Sequence, residues 1–224
     1  MKSMQTTPMD FDKEAYELWR QKEEDELVAK CLERGEMNTR LAYTSLLEHE
    51  LDITFESLKN RPNENLMHIM DWDPNVPSPK MGRLLMGSVG TGKSTLCKAL
   101  INRWACREYR GIFVTVADIL DKLRNSFENK DTNLEIEIKR YEECDLLIID
   151  DLGTEKSTEW ALGQLFRIFE NRIRHRRHTW ITTNLRPPEI SSKYGDRIFD
   201  RIIGHCEPLI FKGGSYRSGI LKSI

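Results

Sequence analysis

The sequence predicts an α/β protein in which helices cover both faces of a parallel β-sheet. Two observations support this fold class. Short aliphatic and β-branched runs alternate with segments of helical periodicity over residues 82–211, as in parallel sheets with helical crossovers. The first run leads into a glycine-rich loop, residues 87–94, and this loop leads into a helical segment. That is the strand–loop–helix order of phosphate-binding loops.

Composition excludes several classes of protein. The chain has 224 residues, of which 39% are hydrophobic and 31% charged, as in water-soluble globular proteins. No apolar run approaches the roughly 20 residues that span a membrane, and the N-terminus lacks the apolar core of a signal peptide. The five cysteines include no Cys-x-x-Cys pair, so we predict neither a zinc site nor a disulfide framework. These features predict a cytoplasmic protein with no membrane partner.

The region before the sheet is predicted to be helical. Residues 10–34 have a broken apolar stripe of helical spacing that stops at Gly35, and residues 39–50 and 65–70 predict two shorter helices. The first helix can either dock on its own domain or be presented to a partner. Residues 73–79 contain three prolines and indicate a linker.

This linker divides the chain into a helical extension, residues 1–73, and a nucleotide-binding domain, residues 74–224. Residues 1–60 contain 8 Lys or Arg and 14 Asp or Glu, whereas residues 157–224 contain 12 and 6. The acidic end favours a protein partner, and the basic end can meet phosphate groups through local patches.

The predicted elements of the second domain follow one another regularly. Strands are predicted from aliphatic and β-branched runs at 83–86, 112–116, 146–149, 179–183 and 209–211. Helices are predicted from periodic apolar positions over 95–104, from an N-cap at Asp118 to Phe127, over 132–143, 157–174 and 195–204, and briefly from Pro187.

The glycine-rich loop matches the pattern G-x-x-x-x-G-K-S. Its residues are Gly87, Ser88, Val89, Gly90, Thr91, Gly92, Lys93 and Ser94, and the nucleotide-binding set extends to Thr95 in the helix. Glycines let backbone N–H groups turn toward an anion without Cβ clashes, and the helix start adds unpaired donors. Lys93 is expected to contact the β- and γ-phosphates and Ser94 to bind Mg²⁺. We therefore predict a nucleoside triphosphate ligand.

Two acidic residues and one amide at strand ends are candidates for catalysis. Asp150 and Asp151 follow the apolar run 146–149, as in a Walker B segment. Asp150 is expected to hold Mg²⁺, directly or through water, and Asp151 to orient or deprotonate the attacking water. An acidic turn after a core strand is the alternative. Asn184 ends the strand 179–183, where it can bridge the water and the phosphate or form an Asx turn.

Together these segments resemble the AAA+ helicase-loader ATPases of the DnaC type and their relatives, the IstB-type transposition helpers. The resemblance covers about residues 82–220. It rests on the phosphate-binding loop and on the segments 114–119, 147–153, 182–185, 195–202 and 214–217. It implies an AAA+ core that binds ATP and Mg²⁺, hydrolyses ATP and associates with itself when ATP is bound.

The resemblance also implies partners. A DnaC-type loader helps to place a replicative hexameric helicase on single-stranded DNA during replication initiation or restart, and the N-terminal extension is expected to contact that helicase. A transposition helper that acts with a transposase shares the same motifs and remains an alternative. A nucleotide-gated adaptor with negligible turnover and a small-molecule P-loop kinase are further alternatives, although kinases usually carry an arginine-bearing lid.

Three arginines acquire roles from the resemblance alone. Arg201 matches the arginine finger that such loaders offer to the ATP of a neighbouring subunit, and Arg197, one helical turn earlier, is a second candidate. A helix face salt-bridged to Asp196 and Asp200 is the alternative. Arg217 resembles the sensor arginine that contacts the nucleotide from near the C-terminus, with a solvent-exposed tail arginine as the alternative.

Two features depart from most AAA+ proteins. Asp151 stands where many of them have Glu, and its side chain, one methylene shorter, is expected to affect hydrolysis more than binding. Few residues follow the last predicted strand, 209–211, so the helical lid of most AAA+ proteins is predicted to be absent, as is typical of this subgroup.

The resemblance also points to a surface for single-stranded DNA. It places two aromatic residues, Phe127 and Trp160, near several lysines and arginines. Aromatic rings between cations bind single strands without sequence readout, and two rings in the core are the alternative. The basic run 172–178 ends a predicted helix, where a solvated cap competes with a contact to DNA.

Overall fold

The computed structural model describes residues 44–58, 65–107, 109–128, 134–155 and 158–213. A parallel sheet lies at its centre, with the strand order β2-β3-β4-β1-β5. The strands are Gly82–Gly87 (β1), Gly111–Thr115 (β2), Leu146–Leu152 (β3), His178–Thr183 (β4) and Cys206–Phe211 (β5). The five predicted strands are confirmed. Four of them are longer than predicted by one or more residues, and β2 has the predicted length but begins and ends one residue earlier.

Helices connect the strands, as predicted. Their bounds are Leu66–Met70 (α1), Lys93–Ala105 (α2), Val116–Glu128 (α3), Leu134–Glu143 (α4), Glu159–Arg174 (α5), Pro187–Tyr194 (α6) and Asp196–His205 (α7). None of the helices in the described part of the chain is long and apolar enough to cross a membrane.

One predicted helix start is wrong. Helix α3 begins at Val116, directly after β2, so Asp118 lies in its first turn and is not the N-cap. The cap is made by Thr115, whose hydroxyl oxygen accepts the backbone N–H of Asp118 at 3.1 Å and donates to the Asp118 carboxylate at 2.7 Å. A threonine at the end of a strand can serve both elements, because an N-cap residue has extended backbone angles.

Both faces of the sheet are buried, which explains the nearly continuous apolar strands. Leu84 of β1 packs in one apolar cluster with helices α3 to α7, and its neighbour Leu85 packs in a second cluster with α1 and α2. Leu147 and Ile148 of β3 divide in the same way, since successive side chains of a strand point to opposite faces. The result is a three-layer α/β/α core.

Residues 44–58, here called the N-terminal strap, lie against helix α2. The carboxylate of Glu50 forms an ion pair with Lys98. The side-chain amide of Asn102 donates to the backbone carbonyls of Glu50 and Ile53, both at 2.9 Å. The strap also buries four apolar residues in the α2 cluster: Leu46, Leu51, Phe55 and Leu58.

The strap differs from the helix predicted over 39–50. Thr44 is helical, but Ser45 has a left-handed backbone (φ 55) and Leu47 is extended, and Glu48–Glu50 form a separate turn of the 3-10 type. The prediction is therefore wrong over residues 45–47, because burial of Leu46 against α2 outweighs the local helical periodicity. The helix predicted over 10–34 lies outside the described residues.

The strap also bears on the predicted boundary at residue 74. The chain divides into compact units between Asn38 and Thr39, so the unit that contains the sheet begins well before the proline-rich linker. Residues 73–79 have no regular secondary structure, as predicted. They are nevertheless held to the sheet, since the His178 ring contacts the carbonyl of Pro74 at 3.2 Å and that of Met81 at 3.0 Å.

Candidate nucleotide-binding site

The phosphate-binding loop joins β1 to α2 at the carboxyl edge of the sheet, the edge where ligands bind in parallel α/β folds. Gly90 and Gly92 have left-handed backbones, with φ of 80° and 92°. Gly87 lies so close to β5 that a Cβ there would be 2.3 Å from the carbonyl oxygen of Phe211. No side chain caps the start of α2, so its first N–H groups can face an anion.

Lys93 is buried within this loop. Its ammonium group donates to the carbonyls of Gly87 and Ser88 at 2.6 and 2.9 Å, and to Oδ1 of Asn184 at 2.9 Å. Burial lowers the pKa of Lys93, and the carboxylates of Asp151 and Asp150 oppose this effect. The structure therefore brings together the loop lysine, both carboxylates and the strand-end amide that the sequence singled out.

Asp150 is joined to the loop by a hydrogen bond. Its Oδ1 accepts the hydroxyl of Ser94 at 2.7 Å and the hydroxyl of Thr182 at 2.6 Å. Only 6% of the residue is exposed, and this burial raises the pKa of Asp150, while the two hydroxyl donors lower it. Ser94 and Asp150, which were predicted as metal ligands, are thus adjacent.

The strand β3 is irregular where its two carboxylates lie. Ile149 pairs with Ile181 of β4, but the next pair is Leu152 with Thr183. Asp150 and Asp151 therefore lie opposite the single residue Thr182, as in a β-bulge. In a regular strand the two side chains would point to opposite faces, and a bulge can redirect one of them. Asp151 also has a left-handed backbone, with φ of 53°.

The donor set suits Mg²⁺ bound together with phosphate. No group of three or more His, Cys, Asp or Glu residues capable of holding a metal occurs among the described residues. Mg²⁺ with a nucleotide does not need such a group, because it usually takes one or two carboxylates and completes its shell with phosphate oxygens and water. Ser94 and Asp150, 2.7 Å apart, fit that arrangement.

Comparison with known proteins identifies the family. A model of the IstB-like ATP binding protein family matches residues 24–222. The chain belongs to this family.

Two named relatives of this IstB-like chain are helicase loaders. The replicative helicase loader DnaC of Escherichia coli strain K12 is 28% identical over 166 residues, which are 74% of this chain and 66% of that protein. The replicative helicase loader DnaI of Bacillus subtilis is 26% identical over 165 residues, which are 67% of this chain and 52% of the relative. The matched region thus spans about two thirds of one relative and half of the other.

A solved structure gives the same fold. The crystal structure of the DnaC helicase loader superposes on this IstB-like chain with a TM-score of 0.62 at 23% identity, over 74% of this chain and 100% of that one. The predicted AAA+ P-loop fold and the predicted DnaC-type resemblance are confirmed. The described residues end at Gly213, so the absence of a lid stays a prediction.

The candidate finger arginines of this family member lie on α7 and contact α5. The Arg197 guanidinium lies 4.0 Å from the ring centroid of Phe166, and Nε of Arg201 lies 2.8 Å from Oε2 of Glu170. The salt-bridge alternative is therefore present for Arg201, although its partner is not Asp196 or Asp200, the carboxylates named from the sequence. Nearly half of the Arg201 side chain is exposed, at 46%. Its trans-acting role stays a prediction.

The two aromatic residues predicted to contact DNA differ in their exposure in this family member. Phe127 is 70% exposed at the end of α3, whereas Trp160 is half-buried and packs against the α3–α7 cluster. The guanidinium of Arg124 lies 5.8 Å from the Trp160 ring centroid. The core alternative is thus excluded for Phe127 and holds in part for Trp160. Arg217 lies outside the described residues.

Two features are not predicted from the sequence. Thr182 lies at the site and had no assigned role, although a hydroxyl residue at the end of a strand beside an Asp–Asp pair is a recognisable signal. The basic run 172–178 begins at the opposite edge of the sheet and is not one surface, because Arg172 is fully buried and only Arg174, His175 and Arg176 of this run are exposed.

Proposed function

We propose that this protein is an ATPase that helps to load a replicative hexameric helicase onto single-stranded DNA during replication initiation or restart. Two hydrogen bonds carry the ATPase part of the proposal: Lys93 to Asn184, and Ser94 to Asp150. They join the phosphate-binding loop to the ends of β4 and β3, where a γ-phosphate and its attacking water would lie. The names of the DnaC and DnaI relatives support the loading part.

The residues of the chain have separate tasks in this proposal. The backbone N–H groups at the start of α2 bind the phosphates, and Lys93 turns from the loop carbonyls to the β- and γ-phosphate oxygens. Ser94 and Asp150 would hold Mg²⁺, which neutralises charge on those phosphates. Asp151 orients the attacking water and accepts its proton, and Asn184 aligns the water with the phosphorus.

The partners follow from the same proposal. ATP-bound subunits associate with one another, and Arg201, with Arg197 as the second candidate, reaches the ATP of its neighbour. Arg217 contacts the nucleotide within its own subunit. Residues 1–73 contact the helicase, and the exposed ring of Phe127 with Trp160 and nearby cations meets single-stranded DNA.

Loading can be tested with the purified full chain, a replicative helicase from the same host and circular single-stranded DNA. We expect ATP and the chain together to increase the amount of helicase retained on the DNA. No increase with any nucleotide would contradict the loading role. Stimulation of strand transfer by a transposase in its place would favour the transposition helper.

The ATP site can be tested separately with Lys93→Ala. This variant loses the cation that faces the β- and γ-phosphates, so we expect no measurable binding of a fluorescent ATP analogue. Lys122→Ala, which removes an exposed lysine of α3, is the control and should bind the analogue normally. Normal binding by a folded Lys93→Ala would exclude this loop as the nucleotide site.

A further inference from the structure

The hydroxyl of Thr182 contacts both carboxylate residues of β3. It donates to Oδ1 of Asp150 at 2.6 Å, and it accepts the backbone N–H of Asp151 at 3.0 Å. A hydroxyl carries one donor and two acceptor lone pairs, so both bonds can exist together. Thr182 is completely buried, which shields the two bonds from competition with water.

The bulge in β3 explains why such a residue is needed. Regular ladder pairing stops at Ile149 and resumes at Leu152, and an inserted residue in a bulge lacks a backbone partner. The Thr182 hydroxyl supplies an acceptor to the N–H of Asp151, which also has the rare left-handed φ of 53°. The Thr182 side chain thus stabilises the bulge, which the backbone ladder between β3 and β4 does not.

The second bond of Thr182 holds Asp150 independently of the phosphate-binding loop. Ser94 donates to the same Oδ1 at 2.7 Å, but Ser94 belongs to the loop that is expected to engage phosphate and metal. Thr182 belongs to the sheet, so its bond does not depend on what the loop binds. A metal-ligand carboxylate is commonly held by such an outer partner, which fixes the orientation of its oxygens.

We propose that Thr182 is a positioning residue that orients Asp150 toward Mg²⁺ and Asp151 toward the attacking water. The assignment rests on the proposed ATPase function. It predicts that removal of one buried hydroxyl raises the Mg²⁺ concentration that nucleotide binding requires and, separately, lowers the rate of hydrolysis.

The neighbouring residue provides a matched control. Thr183 is also a completely buried threonine of β4, and its hydroxyl also donates to β3, at 2.6 Å. Its acceptor, however, is the backbone carbonyl of Leu152 and not a carboxylate. Thr182→Val and Thr183→Val therefore remove the same group at the same depth, and only the first loses contact with Asp150 and Asp151.

The experiment measures binding of a fluorescent ATP analogue by the full chain at a series of Mg²⁺ concentrations. Thr182→Val should raise the Mg²⁺ concentration at half-maximal enhancement of binding by about tenfold, the lower end of the effect of outer-shell partners. Thr182→Ser, which keeps the hydroxyl, should return it toward the original value, and Thr183→Val should not change it. At saturating Mg²⁺, the kcat of Thr182→Val should stay reduced, because Asp151 is still unsupported.

The outcomes distinguish failure of the proposed ATPase function from failure of the role of Thr182. If the unmodified chain shows no Mg²⁺-dependent binding or hydrolysis, the proposed ATPase function fails and the role of Thr182 fails with it. If the unmodified chain shows both and a folded Thr182→Val matches it, only the role of Thr182 is overturned. If Thr182→Val does not fold, Thr182→Cys replaces it with the same expected result, since a thiol is only a weak donor.

Discussion

A single guanidinium joins α5, α4 and β4 at the amino edge of the sheet. Nη1 of Arg172 donates to the carbonyls of Tyr141 and Cys144 at 2.7 and 3.0 Å, and Nη2 donates to that of His178 at 2.5 Å. Nε donates to the hydroxyl of Thr179 at 2.9 Å. Burial lowers the pKa of Arg172, yet a guanidinium keeps its charge in proteins. The charge is tolerated because the planar group meets several acceptors.

Arg172→Met should destabilise the fold strongly. The substitution leaves several buried acceptors without a donor, at about 1–3 kcal/mol for each. Arg172→Lys should restore only part of the loss, because one ammonium nitrogen cannot reproduce the planar fork. Chemical denaturation measures the free energies of unfolding.

Arg174→Met is the control for this comparison. Arg174 is exposed near the end of the same helix, so its substitution should change the free energy of unfolding by less than about 0.5 kcal/mol. Equal losses in the two Met variants would contradict the structural role of Arg172.

At the scale of secondary structure elements, exposed aromatic and apolar side chains differ in what they can bind. Phe127→Ala should weaken binding of single-stranded DNA by about 1–3 kcal/mol, the loss expected for one stacked base. Ile136→Ala removes a similarly exposed apolar side chain, of α4, and should have no effect, because an aliphatic group offers no ring for stacking. Fluorescence anisotropy of a labelled oligonucleotide measures both affinities.

The effect of Phe127→Ala on DNA affinity can be separated from any effect on stability. Because Phe127 is mostly exposed, its loss should leave the melting temperature unchanged, and a change in DNA affinity can be attributed to the contact itself. Equal DNA affinity in the unmodified chain and Phe127→Ala would remove this residue from the DNA surface.

The elements predicted best from the sequence are those whose residue pattern matches their burial in the fold. The strands are recognisable because both faces of the sheet are buried, so each strand is apolar throughout. The loop at 87–94 is recognisable because binding phosphate through backbone N–H groups needs glycines and a lysine at fixed positions. The bulge at Asp150 and Asp151 is not predictable in the same way, since it depends on how β3 aligns with β4, which pairs with it only in the folded chain.

The same reasoning explains the errors. The backbone at Ser45–Leu47 follows from burial of the strap against α2, which no local periodicity encodes. The burial of Arg172 depends on carbonyl groups from α4 and β4 that meet only in the folded chain. Both are consequences of tertiary contacts that outweigh local propensity.

At the scale of the whole molecule, hydrolysis is expected to require more than one subunit. Arg201→Ala should bind ATP normally as a single chain but lose hydrolysis, since an arginine supplied in trans contributes about 10³–10⁵ in rate. Mixing Arg201→Ala with Lys93→Ala should restore part of the activity, because an intact site then meets an intact arginine. The measurement is ATPase rate against mixing ratio, with helicase and single-stranded DNA present.

Glu170→Gln is the matched control for the arginine. It removes the ion-pair partner of Arg201 and leaves the guanidinium in place, so hydrolysis should be retained. If Glu170→Gln loses as much activity as Arg201→Ala, and the mixture shows no recovery, Arg201 stabilises the contact of α7 with α5 and does not act in trans.

The N-terminal strap and the phosphate-binding loop both contact helix α2. The same helix presents Lys93 at its start and binds the strap through Lys98 and Asn102 further along. A partner that binds beside the strap and displaces it would therefore break contacts to the helix that begins at Lys93, at a cost in free energy. Any difference in this cost between the ATP-bound and the ATP-free chain is a coupling free energy, and thermodynamic linkage makes it reciprocal. If a partner lowers the affinity for ATP by some factor through the contacts between the strap and α2, ATP lowers the affinity for that partner by the same factor.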